Sequence, residues 1–538
     1  MLLQDLFAGV DAEVPAGAAR VDVRALAVDS RRVRPGALFA ALAGVNADGT
    51  DFAVQAVEQG AAAVLAGRPL QLKAPVVVAS NPRRAFSLAA ARFHGEPSRR
   101  LSLFGVTGTN GKTTTAYLIE QISAARGVAT GLIGTVESRW PGGRMAATHT
   151  TPESHELQEL LRRMADAGAQ VVAIEVSSHA LSQERAAGCV FSGAAFTNLT
   201  RDHLDYHGSL DAYFDAKAKL FRELLPRGVP AVLNFDDPRV AALAGDLPFA
   251  LGFTVRGAAG AALFAERVRS DLRGVRFQLR TAAPLDDALA EVESPLIGAH
   301  NVENLLAAIG VLAGSGVPLR DVVRVIPECP GAPGRLERVP DRAGRVVLVD
   351  YAHTDDALAR VLDALRQAAA PRIVCVFGCG GDRDRGKRPL MGEAAGARAD
   401  LVIATSDNPR TEDPLAILAA IEPGLVRSGK ARLDPRHARM GLDGYCVVPD
   451  RSEAIALALR CARPGDAVLL AGKGHEDYQI VGTEKRPFDD RLEARRALEE
   501  ISRSARASRP SRSPGPRERG SPCPEGPSRV FSRIRERR

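Results

Sequence analysis

The sequence predicts an α/β chain of three domains, from two observations. The first is length: 538 residues exceed what a single core organises, and at roughly 100–200 residues per domain three is the natural division. The second is pattern. Short apolar runs of strand length alternate with longer helical periodicities along the chain, as in mostly parallel sheets covered by helices on both faces.

Residues 1–98 form the first unit, with apolar runs at 61–65 and 76–78 and a helical pattern over 52–59. Residues 99–331 form the second. They open with a strand candidate at 101–106, a Gly-rich turn and a helix over 113–125, followed by strand candidates at 171–176 and 195–198. Residues 332–502 form the third, with strand candidates at 346–349, 373–377, 401–404 and 467–471. The Pro- and Gly-rich run at 329–334 reads as the linker between the last two. Residues 503–538 are rich in Ser, Pro, Arg and Gly. Such a segment buries too little apolar surface to offset its ordering entropy, so a disordered basic tail is expected.

The net charge of +7 resides in that tail, which holds 11 Arg and 3 Glu. The rest of the chain is nearly neutral, which argues against a nucleic-acid-binding face. No long charge-free apolar stretch predicts a membrane span. Asp5, Asp11 and Glu13 stand where a secretory signal would carry basic residues. Seven scattered cysteines without a CxxC pair suit reduced thiols and a cytoplasmic location.

The most informative segment is Gly105-Val-Thr-Gly108-Thr109-Asn110-Gly111-Lys112-Thr113-Thr114. It follows a buried strand and opens a helix, and it reads as a GxxxxGK[ST] phosphate loop with one extra residue between Gly105 and Gly111. Backbone N–H groups and the helix dipole at such a turn hold phosphates, Lys112 reaches the β/γ-phosphates, and Thr113 can bind Mg²⁺. Glu175 and His179 end the next strand candidate, and Asp202, His203, Asp205 and His207 follow the third. Ligands of open α/β sheets collect at such strand ends. Singly, these are ordinary loop or strand-end groups, and Lys217 and Lys219 read as the solvated face of a helix.

Together the segments from Asp29 to Glu476 resemble the Mur ligases, in particular their tripeptide-forming branch; the phosphate loop alone is shared with folylpolyglutamate synthetases. The resemblance implies a three-domain architecture: an N-terminal UDP-binding α/β domain, a central P-loop parallel-sheet ATPase domain and a C-terminal Rossmann-like α/β domain. It implies ATP as co-substrate, Mg²⁺ as cofactor, and addition of meso-2,6-diaminopimelate to UDP-N-acetylmuramoyl-L-alanyl-D-glutamate through an acyl phosphate, by a monomer. By position, Lys112, Glu175, His203 and Lys217 are the catalytic set. Lys217 matches the family's carbamylated lysine, and Thr113, Glu175, His203 and Lys217 are the metal-facing groups.

Gly108 to Thr114, Asn304 and Arg335 fall to ATP, and Asp350 and His353 face it. Val28, Ser30, Val45, Asn46, Ala47, His149, Thr150, Thr151, Ser177, Gln183 and Arg185 fall to the UDP-muramoyl-dipeptide; His149 stands where the family usually has Asn. Arg383, Asp407, Asn408, Pro409, Arg410, Gly472 and Glu476 fall to diaminopimelate. Two alternatives stay open at this point: an L-lysine-adding ligase of the same family, and a non-catalytic P-loop module. Arg410 and Arg383 weigh against lysine, which lacks the second carboxylate, and the intact Lys112–Lys217 set weighs against the module.

Overall fold

The structure is a computed structural model that describes residues 1–44 and 47–507. Val45, Asn46 and residues 508–538, which include most of the expected tail, lie outside the described residues. Helix Asp490–Ala507 runs past the expected boundary at 502. Its last turns are supported by an i,i+4 pair between Arg503 and Glu499 at 3.2 Å, which the tail's low apolar content did not signal. Among the described residues, no helix is long and apolar enough to cross a membrane.

Three sheets organise the chain. The first is parallel, in the order Ala25–Ala27, Ala37–Ala40, Ala61–Ala66, Val76–Val78. The last places Val346–Asp350, Ala467–Ala471, Ile373–Phe377, Leu401–Ala404 and Gly444–Val447 in parallel, with Glu337–Val339 added antiparallel at one edge.

The central sheet has 11 strands. Ser102–Thr107 lies between Gly193–Phe196 and Val171–Glu175, both parallel to it. The parallel run extends to Thr130–Ile133 on one side and to Leu263–Asp271 on the other. Beyond these, the hairpins 137–146 and 274–294 add antiparallel strands, so the sheet is mixed where a parallel one was expected. The outer strands escaped sequence reading because they alternate. Leu263–Asp271 is irregular at 266–269 and from there puts every second residue towards solvent, with Arg267, Arg269 and Asp271 exposed, a one-sided pattern rather than a continuous apolar run.

The central strands are apolar throughout because both faces are covered. Helices Lys112–Ala125 and His300–Gly314 bury Tyr117, Leu118, Ile122, Leu305 and Ile309 against one face. Leu157, Leu161, Phe191, Phe196, Tyr213 and Phe221 fill the other. Burying side chains of this size contributes about 1.5–3 kcal/mol each. The consequence for function is register. Val106 pairs with Glu175 and Thr107 with Phe196, so the phosphate loop, the Glu175 strand end and the 197–203 loop leave the sheet side by side.

Candidate active site

Gly105 lies inside strand Ser102–Thr107, so the loop proper turns at Gly108. Gly108 has φ +143 and Gly111 φ +84. A Cβ at Gly108 would collide with Thr197 Oγ1, and one at Gly111 with Asn304 Oδ1. The glycines let the loop lie flat on the neighbouring strand end and on helix His300–Gly314. The loop is also pinned from outside: Asn110 N donates to Asn198 Oδ1 at 2.9 Å, and Thr197 Oγ1 donates to Asn110 O. Lys112 Nζ donates to the carbonyls of Gly108 and Thr109, both at 2.9 Å. Burial holds the Lys112 pKa below the usual lysine value, and the Arg335 charge acts in the same sense against Glu175 and Asp202. The linker arginine thus lies within electrostatic reach of the loop.

Asn304, expected at the ATP, has partners within the chain. It is 5% exposed, its Oδ1 accepts from Thr115 Oγ1 at 3.4 Å, and its Nδ2 donates to Asn301. It braces the loop from behind, where only the absence of a Cβ at Gly111 admits it. Asp350 is likewise engaged within the chain. It is buried and accepts from Leu336 N and Ala352 N, both at 2.8 Å. A strand-end aspartate has backbone N–H groups to satisfy, and here the linker supplies one. His353 is exposed, its Nδ1 2.9 Å from Tyr351 O.

Glu175 is 1% exposed and accepts three donors: Thr113 Oγ1 at 2.9 Å, Thr135 N at 2.8 Å and Thr135 Oγ1 at 3.1 Å. Thr135 escaped the sequence reading. It follows strand Thr130–Ile133, and only the sheet order shows that this strand end adjoins Glu175. Thr135 Oγ1 also lies 3.1 Å from Thr150 Oγ1, joining the ATP side to the dipeptide side.

On that side, Thr151 is 1% exposed; its Oγ1 donates to Glu175 O at 2.8 Å and accepts from Ser177 N. Ser177 Oγ caps the helix Ser178–Ser182. Arg185 is committed to Glu153 at 2.8 Å, to Gln183 Oε1 and to Thr151 O. Its charge therefore shapes the dipeptide loop more than it offers a free anion site. His149 is exposed. Ser30 is buried and donates to Gln55 Oε1 at 2.9 Å. Val28 precedes it, and Ala47 closes a turn by accepting from Gly44 N.

Lys217 is 1% exposed on helix Leu210–Lys219, just before the π-helical turn Leu220–Leu224, a distortion frequent at functional sites. Its Nζ donates to Gly108 O at 2.8 Å and sits 4.5 Å from the Tyr213 ring. Burial above all, then the charge of Lys112, hold its pKa well below the usual value. Across Tyr213 lies His203 at 6.2 Å between ring centroids, edge-to-face with His179 at 4.8 Å. His203 takes a left-handed backbone, φ 50, and lies 3.5 Å from Asp202. The expected catalytic set is thus gathered at adjoining strand ends.

The third sheet carries a second cluster at its own strand ends. Arg410 (φ 52) pairs by backbone with Ile480 and Gly482, and Nη1 donates to Gly381 O at 2.7 Å. Arg383 is exposed beside it: a Cβ at Gly380 would lie 2.9 Å from Arg410 Nη1 and 3.7 Å from Arg383 Cγ. Asn408 Nδ2 donates to Glu476 Oε2 at 3.0 Å, and Pro409 holds the turn between Asn408 and Arg410. Asp407 is buried behind them, its pKa raised by that burial against the charges of Arg451 and Lys473. Gly472 (φ +113) is required there, because a Cβ would lie 2.6 Å from Asp407 Oδ2.

Comparison with known proteins agrees with this geometry. The family described as "Mur ligase family, catalytic domain" matches residues 22–101, "Mur ligase middle domain" matches 106–312, and "Mur ligase, glutamate ligase domain" matches 334–474. The chain is 45% identical over 517 residues to the UDP-N-acetylmuramoyl-L-alanyl-D-glutamate–2,6-diaminopimelate ligase of Geobacter metallireducens, covering 93% of this chain and 99% of that one. It is 47% identical over 511 residues to the protein of that name from Synechococcus, covering 92% and 98%. A solved structure of a ligase of the same name superposes with a TM-score of 0.70 at 36% identity, over 93% of this chain and 99% of that one. A MurF ligase from Thermotoga maritima in complex with ADP shares the fold at 17% identity and a TM-score of 0.55, over 90% and 99%. The chain therefore belongs to the Mur ligase family, alongside relatives named UDP-N-acetylmuramoyl-L-alanyl-D-glutamate–2,6-diaminopimelate ligases.

Proposed function

We propose that the chain uses ATP to join meso-2,6-diaminopimelate to the γ-carboxylate of UDP-N-acetylmuramoyl-L-alanyl-D-glutamate, a step of peptidoglycan synthesis. The observation that carries this reading is the convergence of Lys112, Glu175 and Lys217 on one loop, with the Arg383–Arg410 pair on the facing domain. The relatives named for this reaction support it over most of their length.

The loop N–H groups and Lys112 hold the β/γ-phosphates, with Arg335 added from the linker. The D-glutamyl carboxylate attacks the γ-phosphorus, the bond to the β-phosphate oxygen breaks, and ADP leaves an acyl phosphate. The amine of diaminopimelate, once neutral, attacks the acyl carbon; phosphate departs and the amine proton is lost. The chain's contribution is position and fixed charge. Thr113 and Glu175 offer the hard oxygen donors that suit Mg²⁺, with His203 close by as a further group facing the ion. Bound there, the ion supplies charge neutralisation between carboxylate and phosphates.

Lys217 as an ammonium does not fit beside such an ion, but its depressed pKa makes the neutral amine accessible. That amine adds to the carbon of CO₂, a C=O electron pair moves to oxygen, and one N–H proton leaves, giving an anionic carbamate. The described cysteines are buried thiols without a disulfide, which supports a cytoplasmic enzyme. The test is phosphate release with ATP, the UDP-dipeptide and a panel of amino acids: release with diaminopimelate far above lysine is expected, and release that ignores the amino acid refutes the reading.

A further inference from the structure

Behind the amino-acid cluster lies a lysine to which neither the reaction above nor the sequence motifs give a role. Lys473 is 0% exposed, in the loop that follows strand Ala467–Ala471. Its Nζ lies 3.0 Å from Glu476 Oε2 and 3.4 Å from Asn408 Oδ1. Asn408 reciprocates, since its Nδ2 donates to the same Glu476 oxygen at 3.0 Å while its Oδ1 also accepts from Ile480 N at 2.9 Å. Two donors from two different loops therefore meet on one carboxylate oxygen. The other oxygen, Oε1, makes no hydrogen bond among the described residues, and the Glu476 side chain is 16% exposed whereas that of Lys473 is closed off entirely.

We propose that Lys473 is a positioning residue for the incoming amino acid: with Asn408 it fixes Glu476 Oε2, so that Oε1 is presented to the substrate ammonium. This rests on the reading of the cluster as the diaminopimelate site. The physical case has two parts. A carboxylate on a glutamate stem has freely rotating torsions, and holding it in one orientation lowers the entropy lost when a ligand ammonium is captured. The ammonium beside it also offsets the carboxylate's charge, so that neither group of the pair is left without a partner in the cluster. Lys473 also ties the 407–410 turn, which carries Arg410, to the 472–476 loop. The group expected to take the substrate's carboxylate is thereby held at a set distance from the group expected to take its ammonium. The two ends of one zwitterion are recognised by groups that Lys473 connects.

A ground-state binding role of this kind raises KM with kcat largely spared. The experiment measures steady-state kinetics of the full-length enzyme for each of its three substrates in wild type, Lys473→Met, Glu476→Gln and the double variant. Lys473→Met is expected to raise the KM for diaminopimelate about tenfold or more, as for a lost hydrogen bond to a charged group, with the KM for ATP and for the UDP-dipeptide within about twofold of wild type. In the Glu476→Gln background, loss of Lys473 is expected to change the diaminopimelate KM by less than about twofold, because the group it positions has already gone. That second pair removes the unpaired buried carboxylate, and so carries the test even where Lys473→Met alone folds poorly. Additive effects in the double variant, or equal rises in all three KM values with a lowered Tm, overturn the proposal and leave Lys473 a structural cross-link. A wild-type enzyme that does not use diaminopimelate refutes instead the reading on which it rests.

Discussion

At the scale of single residues, Lys217 is a cation at the end of a helix that the fold has made hard to keep charged. Its Nζ touches the Gly108 carbonyl, its stem is buried, and Lys112 bonds the same carbonyl from the other side. Lys217→Ala is expected to lower kcat by about 10²–10³-fold or more, the scale of losing one preorganised charge-stabilising group, and short carboxylic acids should restore part of it by replacing the carbamate oxygens. Mass spectrometry of the native enzyme that shows no carbamate, with no rescue in the variant, removes the idea. Arg410→Ala is expected to damage diaminopimelate use severely, since a site built around a polar group rejects analogues lacking its partner by about 10⁴-fold or more. The ratio of kcat/KM for diaminopimelate over lysine should narrow; an unchanged ratio refutes the specificity role. These residues were legible in the sequence because motif order carries them. Thr135 and Lys473 were not. One is functional only through a sheet neighbour 40 residues away, and the other is a lysine between two glycines whose burial no local pattern announces. Arg185 and Asn304 were legible as to place but not as to partner, because a motif does not state that Glu153 or Gly111 waits beside them.

At the scale of elements, the parallel strands that the sequence singles out fall within a residue or two of their places because burial on both faces leaves continuous apolar runs, whereas others, such as Ala37–Ala40, Ala231–Asn234 and Gly444–Val447, were not singled out. The helix after the phosphate loop could be read because Gly111-Lys112-Thr113 marks its start. The antiparallel edges could not, because their pattern is half polar and their charges resemble loop. The loop itself is the element under the tightest steric demand. Gly108→Ala must place a methyl against Thr197 Oγ1 at φ +143, a region that costs of order 1–3 kcal/mol for a residue with a side chain. Because strand Ser102–Thr107 and helix Lys112–Ala125 are held by their own cores, the strain falls on the turn. Nucleotide affinity, measured by titration calorimetry, is expected to fall about tenfold or more while Tm moves by only a few degrees. Unaltered affinity shows that the turn has room the geometry denies it.

At the scale of the whole molecule, the linker is divided between two bodies. Gln121 of the central domain bonds Gly331 through both amide groups, at 2.8 and 3.0 Å. The C-terminal domain holds Gly334 through Tyr351 N and Glu337, and Leu336 through Asp350. Between the clamps, Ala332 is buried in the central core and its carbonyl accepts from Arg335 N at 3.2 Å, so Arg335 is tied to both sides of the linker. His475 sits where that side meets the linker, its ring 5.0 Å from Tyr351. Burial first, then the charges of Arg335 and Arg491, lower its pKa to about 4 from 6.5. The folded-state value lies below the unfolded one, so the neutral form contributes stability that is complete above pH 6.5 and is lost as pH falls through 6.5 towards 4. By linkage that loss is at most about 3 kcal/mol, since one unit corresponds to about 1.4 kcal/mol. His155, His179, His207 and His300 are lowered by burial too and act in the same sense. Buried Asp350 and Asp407 are raised and oppose it, because they gain stability on protonation as pH falls. The histidines are more numerous, so stability is expected to decline as pH falls from 6.5 towards 4, before acid titrates paired carboxylates such as Glu412, which is lowered to about 2. Denaturant unfolding at a series of pH values checks this. His475→Gln should flatten the slope across that window whatever its effect on stability at neutral pH, and a slope equal to that of wild type shows that His475 is not buried as a neutral ring at the domain junction.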